Sequence, residues 1–397
     1  MATLLTVEEA WRQILSRVQT LPSEPTLLAT AVGRVLAEEA RSAVDLPPFA
    51  SSAMDGFAVR AADTPGTFPV VGRIAAGRPA TRALEAGEAM AIATGGVVPT
   101  GADAVVPIEY VVQHDNSVEI AGGIERGAHL RPRGGDVAEG DVVVRAGTVL
   151  RPAELGALAA AGVGEVVCAK RPRAAVVSTG TELRRPGESL EPGQIFEANG
   201  VMLAAALASA GAAVEPPASV ADDERAHRDA LEHGLEADVL VTSGGVSVGP
   251  HDLVRKIEAE LGVDEVFWKV AVKPGKPISF GIRGSTLVFG LPGNPVSSLV
   301  CFELFVRPAV LALQGAREPG PVFAPGELAV AVRRNPERDE FVRSRLRVDA
   351  ERALLEPLAG QESHMIARAA AADALVFVPR GDGELPEGSI VRYLPLR

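Results

Sequence analysis

The chain has 397 residues, 47% of them hydrophobic, enough to bury several cores, and its length predicts two to four domains. A formal net charge of −12 excludes a general binder of nucleic acid or acidic membrane, since such partners select basic surfaces; an anionic ligand must meet a local basic pocket. Cys168 and Cys301 lie far apart in apolar runs and read as buried free thiols, and the longest apolar stretch, Val201 to Val214, is too short to span a bilayer. With no basic-then-apolar N-terminus, a cytoplasmic protein without a membrane partner is expected.

In chain order, Val7, Ala10, Trp11, Ile14 and Leu15 recur at helical spacing behind Thr6 and the acidic pair Glu8-Glu9, predicting a capped amphipathic helix. A second helix is predicted over Leu28 to Ala40. From Asp45 to Arg133 short valine-rich runs punctuated by Gly and Pro predict a small inserted β region, and Pro152 to Gly162 reads as helix. Lys170-Arg171-Pro172-Arg173 marks a domain boundary. From Ala174 to Leu313 strands and helices alternate, the pattern of an open, mostly parallel sheet with helices on both faces. Strands end at Ser178-Thr179-Gly180-Thr181-Glu182, at Ser219 to Asp223, at Thr242-Ser243-Gly244-Gly245 and at Gly290 to Pro295; in such sheets these ends line the ligand crevice, so the four should converge. Beyond Arg317, runs at Leu328 to Val332, Phe341 to Val348 and Leu375 to Val378 predict a final β domain.

Only five of the 39 basic residues are lysines, and Lys269, Lys273 and Lys276 fall within eight positions. Lysine offers a compact, rotatable ammonium where arginine offers a planar fork, which suits a tetrahedral oxyanion or a phosphate. In an extended run Lys269 and Lys273 share one face, Trp268, Val270 and Val272 mark the other as buried, and Pro274-Gly275 would turn Lys276 back toward them. Three ammonium groups so placed would repel one another unless an anion sat between them.

Gly244, Gly245 and Gly249 before a helix make a phosphate cradle plausible, although neither common phosphate-loop pattern is complete. Gly245-Val246-Ser247-Val248-Gly249 also spells a nucleophile elbow, and Asp339 or Asp349 with His364 would complete the order of a serine hydrolase. Against that reading, the apolar strand stops near Val241, well short of Ser247. Asp222 and Asp252 each precede or open a helix; they read equally as helix caps and as the one or two carboxylates that Mg²⁺ takes beside a substrate phosphate.

Several segments together resemble one family over nearly the whole chain. They are Ser52 to Ala58, Ala93-Thr94-Gly95-Gly96 with Pro99 and Gly101-Ala102-Asp103, Ser178 to Leu183, Ser243 to Asp252, Lys273 to Pro277 and Gly290 to Ser297. In this order they are similar to the MoeA-type molybdopterin molybdenumtransferases, which are related to the gephyrin E domain. The resemblance implies a multi-domain α/β plus β protein with a discontinuous N-terminal domain (1–45 and 133–170), an inserted β lid (46–132), a doubly wound α/β molybdopterin-binding domain (171–318) and a C-terminal β-barrel-like domain (319–397).

It further implies a homodimer whose cleft is shared between subunits. The activity would be insertion of molybdate into adenylylated molybdopterin with Mg²⁺-dependent release of AMP, and a molybdopterin adenylyltransferase is a candidate partner. Carried onto this chain, the catalytic positions are Asp55, Thr94, Asp136, Glu182, Asp222 and Asp252, the last two holding the metal. Substrate would meet Ser243, Gly244, Gly245, Ser247, Gly249, Pro292, Gly293, Asn294 and Pro295, and the oxyanion would meet Lys269, Lys273 and Lys276, with Arg343 and Ser363 from the last domain.

Three departures stand out: Phe57 where the family has tyrosine, Gly96 where alanine is usual, and Arg133 to Asp136 without a glutamate before the aspartate. The rival readings are a scaffold that keeps the fold as an interaction surface without turnover, which the retained acidic residues oppose, and a hydrolase using Ser247.

Overall fold

The structure, a computed structural model, describes residues 4–245, 253–348 and 352–396. Helix α1 (Val7–Leu15) forms where the spacing predicts it. The Thr6 hydroxyl accepts the Glu9 N–H at 3.1 Å and the Glu9 carboxylate accepts the Thr6 N–H at 2.7 Å, a reciprocal cap that satisfies two otherwise orphaned donors. Its buried face, Val7, Ala10 and Ile14, packs into the core of the central domain.

Residues 28–40 do not form the predicted second helix. A single 3-10 turn, Leu28–Thr30, gives way at Gly33, which takes a φ of +73° that a helix cannot contain. The N–H groups of Gly33 and Leu36 donate to the carbonyls of Leu150 and Thr148, and Val35 and Leu36 bridge Val149 and Cys168. Antiparallel pairs Ser23–Leu27 with Glu165–Ala169 and Ala40–Arg41 with Val142–Val144 complete the discontinuous domain. Leu36, Val144, Leu158 and Cys168 share its core, with Leu158 contributed by α2 (Pro152–Ala160). The lid between the two halves is a six-stranded sheet, from Ala104–Pro107 through Gly56–Val59, Ala89–Ile92, Gly66–Ile74 and Ser117–Ile120 to Val111–Gln113.

The central domain is doubly wound, and its strands show why. Along Arg173–Thr179 and Val239–Ser243, side chains alternate between two cores: Ala174, Val176, Val239 and Val241 face one, Ala175, Val177 and Leu240 the other. Leu203 and Leu207 of α3 (Asn199–Ser209) close the first face, while Leu231 of α4 (Glu224–Gly234) and Val254 and Ile257 of α5 (Leu253–Glu260) close the second. The parallel register sets Ser178 opposite both Ser219 and Ser243, and Ser243 opposite Leu291, so the four strand ends do converge on one edge.

After the last parallel strand, Thr286–Leu291, a helical run continues from α6 (Pro295–Cys301) to α7 (Arg307–Leu313). Among the described residues Pro295–Leu313, not Val201 to Val214, is the helical segment long and apolar enough to cross a membrane by length and composition, and it is mostly buried in the protein. Both cysteines are buried free thiols.

In the C-terminal domain the strands Asp339–Val348, Ala353–Pro357, Ala324–Leu328, Ile390–Pro395 and Ala374–Val378 pair in that order, and the last pairs back with the first to close a barrel. The strand expected to start at Leu328 instead ends there. One short strand of the central domain, Val272–Lys273, joins the barrel's edge in parallel with Asp339 and Glu340. It carries the lysine segment into contact with the last domain.

Candidate active site at the strand ends and barrel edge

Gly244 and Gly245 follow the strand Val239–Ser243 with φ of +95° and +67°. A Cβ on Gly244 would lie 2.7 Å from the Thr179 hydroxyl and 2.8 Å from its carbonyl oxygen, and one on Gly245 would collide with Val254. Both positions therefore require glycine because two strand ends and α5 crowd the loop. Ser247, Gly249 and Asp252 lie outside the described residues.

Asp222 and Asp223 divide the roles that the sequence left open. Asp223 caps α4, accepting the Ala226 N–H at 2.9 Å, so Asp222 is released from capping. Its carboxylate accepts the N–H and hydroxyl of Thr181, each at 3.3 Å, beside Glu182, whose carboxylate folds back over Gly180. Behind Asp222, His227 is 2% exposed with neither ring nitrogen hydrogen-bonded; burial pulls its pKa below the usual histidine value, against the pull of Asp222 and Asp223. Among the described residues no three His, Cys, Asp or Glu side chains form a metal cluster. Asp222 is a hard oxygen donor, of the kind that holds Mg²⁺ with one or two carboxylates and a phosphate.

Ser243 is tied to the neighbouring strand end. Its hydroxyl donates to the Pro292 carbonyl at 3.3 Å and accepts from Asn199 Nδ2 at 2.8 Å, and Asn199 also donates to the Gly293 carbonyl at 2.8 Å. Asn199 thus clamps two loops at the start of α3. Sequence reading passed over it, and over Glu197, which is buried and accepts the Ser178 hydroxyl at 2.9 Å and the Gly200 N–H at 2.6 Å. An Asn-Gly pair opening an apolar helix, just after a Glu, was the available signal.

Pro292, Asn294 and Ser363 line a cavity of about 300 Å³ together with Lys273, Lys276, Arg338, Glu340, Gln361 and Glu362. Pro295 opens α6 at its first turn, and Asn294 directs its amide not to that helix but to the Ser363 hydroxyl, 2.8 Å away. The three lysines do not act as one group. The extended run breaks at Lys269, whose φ is +74°, and its ammonium stacks on the Trp268 ring, 3.5 Å from the centroid. Lys273 pairs with Glu340 at 2.9 Å. Lys269 and Lys273 thus have partners of their own, so the expectation that repulsion would demand an anion does not hold for them. Val270 and Val272 are fully buried, as the pattern required.

Arg343 is 2% exposed and donates its guanidinium N–H groups to the carbonyls of Met365, Gly360 and Glu362 at 3.1, 2.8 and 3.2 Å. Burial pulls its pKa down, opposed by Glu362. It shapes the loop that presents Ser363 and is not among the residues lining the cavity. Arg338, Glu340, Gln361 and Glu362 do line it and escaped sequence reading, because only the barrel's register brings them there.

On the lid, the Asp55 carboxylate accepts the Thr94 N–H at 2.8 Å, joining two of the expected positions. Asp136 donates its N–H to the Leu46 carbonyl at 2.9 Å. None of these three lines the lysine cavity. Phe57 is buried in the lid core, where a hydroxyl would need a partner. A Cβ on Gly96 would lie 2.9 Å from both the Ala93 carbonyl oxygen and Ile92 Cγ1, so the usual alanine does not fit without a shift.

This arrangement matches known proteins along its whole length. Residues 5–162 match the MoeA N-terminal region (domains I and II), 175–312 a probable molybdopterin binding domain, and 325–396 the MoeA C-terminal region (domain IV). The chain belongs to the MoeA family. It is 37% identical over 405 residues to molybdopterin molybdenumtransferase 2 of Mycobacterium tuberculosis, covering 96% of this chain and 97% of the relative. It is 31% identical over 393 residues to the molybdopterin molybdenumtransferase of Staphylococcus aureus, covering 97% and 94%.

Two solved structures of the molybdopterin biosynthesis MoeA protein from Pyrococcus horikoshii superpose at TM-scores of 0.77 and 0.83, with 30% and 27% identity. The first covers all of both chains, the second 99% of this chain and all of that one. The closed barrel and the doubly wound central domain are therefore features of a MoeA chain and not accidents of this sequence. Ser247 and Asp349, on which the serine-hydrolase alternative draws, lie outside the described residues, and the Asp339 carboxylate accepts the Arg380 N–H at 2.9 Å.

Proposed function

We propose that the chain is a molybdopterin molybdenumtransferase of molybdenum cofactor biosynthesis, transferring molybdenum from molybdate to adenylylated molybdopterin with release of AMP. The observation that carries this reading is the shared cavity of Lys273, Lys276, Pro292, Asn294 and Ser363, where a basic segment, a strand-end loop and the barrel meet. Ammonium groups and a hydroxyl around a small cavity are suited to hold a tetrahedral dianion by charge-assisted hydrogen bonds. The adenylylated substrate would lie along the adjoining strand ends, over Gly244, Gly245 and the Asn199 clamp.

Mg²⁺ bound to Asp222 and Asp252 would neutralise phosphate charge during cleavage. Within the chain, Thr181 orients the Asp222 carboxylate through two hydrogen bonds. Asp55, Thr94 and Asp136 lie on the lid and the N-terminal domain, away from the lysine cavity, so the reading includes a homodimer in which a second chain completes the cleft. It places the protein in the cytoplasm, fed by a molybdopterin adenylyltransferase.

Purified protein given adenylylated molybdopterin, molybdate and Mg²⁺ should release AMP. Folded protein that binds the pterin and never releases AMP would overturn the reading in favour of a scaffold.

A further inference from the structure

Glu340 is a carboxylate in a cavity otherwise suited to anions. Its strand belongs to the barrel, its partner Lys273 to the central domain, and the parallel register sets the two residues side by side. The Glu340 side chain is only 13% exposed, the Lys273 side chain 42%, and Lys273 Nζ lies 2.9 Å from Glu340 Oε1. The pair also stands in a wall: both residues line the cavity of about 300 Å³ and a second one of about 500 Å³ that contains Arg333 and Arg334. In the first cavity the facing charges are Lys273, Lys276 and Arg338 against Glu340 and Glu362.

Two physical consequences follow. The Glu340 carboxylate uses one of the three N–H donors of Lys273 and thereby fixes where the remaining two point, which a flexible lysine stem cannot do by itself. It also offsets much of the positive charge that a dianion would meet, which limits how tightly that dianion is held. An oxyanion that must be handed on to a second substrate gains nothing from ground-state binding that is not kept in the transition state.

We propose that Glu340 is the positioning residue of the oxyanion site: it orients the Lys273 ammonium and caps the affinity for the dianion so that the dianion can be transferred. The inference rests on the reading of the lysine cavity as that site. It separates two roles of one side chain, hydrogen-bond acceptor and negative charge. Glu340→Gln keeps an acceptor oxygen for Lys273 and removes the charge; Glu340→Ala removes both and opens the wall between the two cavities.

The test is molybdate titration of the full-length protein by calorimetry, with turnover measured in parallel. Glu340→Gln should bind molybdate about three- to tenfold more tightly, as expected for removing a nearby like charge near a protein surface, and should turn over more slowly at saturating molybdate. Glu340→Ala should bind more weakly than Glu340→Gln, because its lysine is no longer held. A purely structural ion pair would instead make both variants weaker and less stable together, and thermal midpoints of the two variants identify that case.

Lys276→Ala separates the possible failures. If the unaltered protein takes up no molybdate and Lys276→Ala behaves the same, the oxyanion reading of the cavity falls, and this inference with it. If the unaltered protein binds, Lys276→Ala weakens binding and Glu340→Gln does not tighten it, the role of Glu340 alone is overturned.

Discussion

Asn294 Nδ2 donates to the Ser363 hydroxyl oxygen at 2.8 Å, and two residues further on the Val296 N–H donates to the Ser363 carbonyl at 3.1 Å. The first turn of α6 is thereby fastened to a loop of the barrel domain. Because the hydroxyl oxygen accepts from Asn294, its own hydrogen is left to donate elsewhere, and the cavity is the space before it.

Ser363→Ala keeps the backbone bond and loses this donor. It should cost no more than about 1 kcal/mol of stability, the net worth of one neutral hydrogen bond. Half-saturating molybdate should nevertheless rise several-fold, read in the AMP-release assay as a change in KM with little change in kcat.

The lysines should not be equivalent. Lys276 lines the cavity, whereas the Lys269 ammonium lies 3.5 Å from the Trp268 ring centre. Lys276→Ala should weaken molybdate binding by an order of magnitude or more, as expected for losing a charge-assisted contact. Lys269→Ala should leave binding nearly unchanged and lower stability by about 0.5–1 kcal/mol, the worth of an exposed cation–π contact. Equal losses of binding in the two variants would show that Lys269 leaves Trp268 when the anion arrives.

Gly244→Ala should be among the most damaging single substitutions. The residue sits at φ +95°, and its new methyl would meet the Thr179 hydroxyl at 2.7 Å and carbonyl oxygen at 2.8 Å. Backbone strain alone costs about 1–3 kcal/mol, and the end of a buried strand cannot move away freely. A denaturant midpoint lowered accordingly, with AMP release abolished, is the expected pair of results.

His227 makes stability depend on pH. Burial pulls its folded pKa below the usual 6.5, so the folded state favours neutral imidazole while the unfolded chain takes up a proton. The contribution is therefore fully present above pH 6.5 and is lost as pH falls through that value toward the lowered folded pKa. Asp222 and Asp223 oppose the shift, so replacing either should steepen the loss. His227→Phe should flatten the dependence below pH 6.5 relative to the unaltered protein, measured as thermal midpoints.

Local chemistry made much of this molecule legible. The Thr6–Glu9 cap, the strand ends of the central domain and the glycine requirement at Gly244 follow from neighbours in sequence, from period-2 alternation and from backbone sterics. The cap and the strand ends needed no knowledge of distant partners, whereas the crowding that demands glycine at Gly244 comes from Thr179 on a neighbouring strand. The second helix failed for the complementary reason: residues 28–40 look helical by composition, but Gly33 breaks the run and Leu36 spends its hydrogen bond on Thr148, more than a hundred positions away.

The same division runs through the site. The lysine cluster, Asp222 and the strand end at Gly290 to Pro295 could be picked out from residue types and spacing alone, because their composition is local. Which lysines line the cavity was decided by contacts that no spacing encodes: Lys276 and Lys273, the latter paired with Glu340, do, while Lys269 stacks on Trp268. The family resemblance implies that Arg343 meets the oxyanion, yet three loop carbonyls take up its guanidinium. By itself the sequence determined the layered α/β plan and the converging strand ends, and it singled out the lysine segment proposed to bind an anion. Only the tertiary structure decided which charges meet, because closing the barrel and setting its register against Val272–Lys273 are long-range events whose energy lies in contacts between residues far apart in the chain.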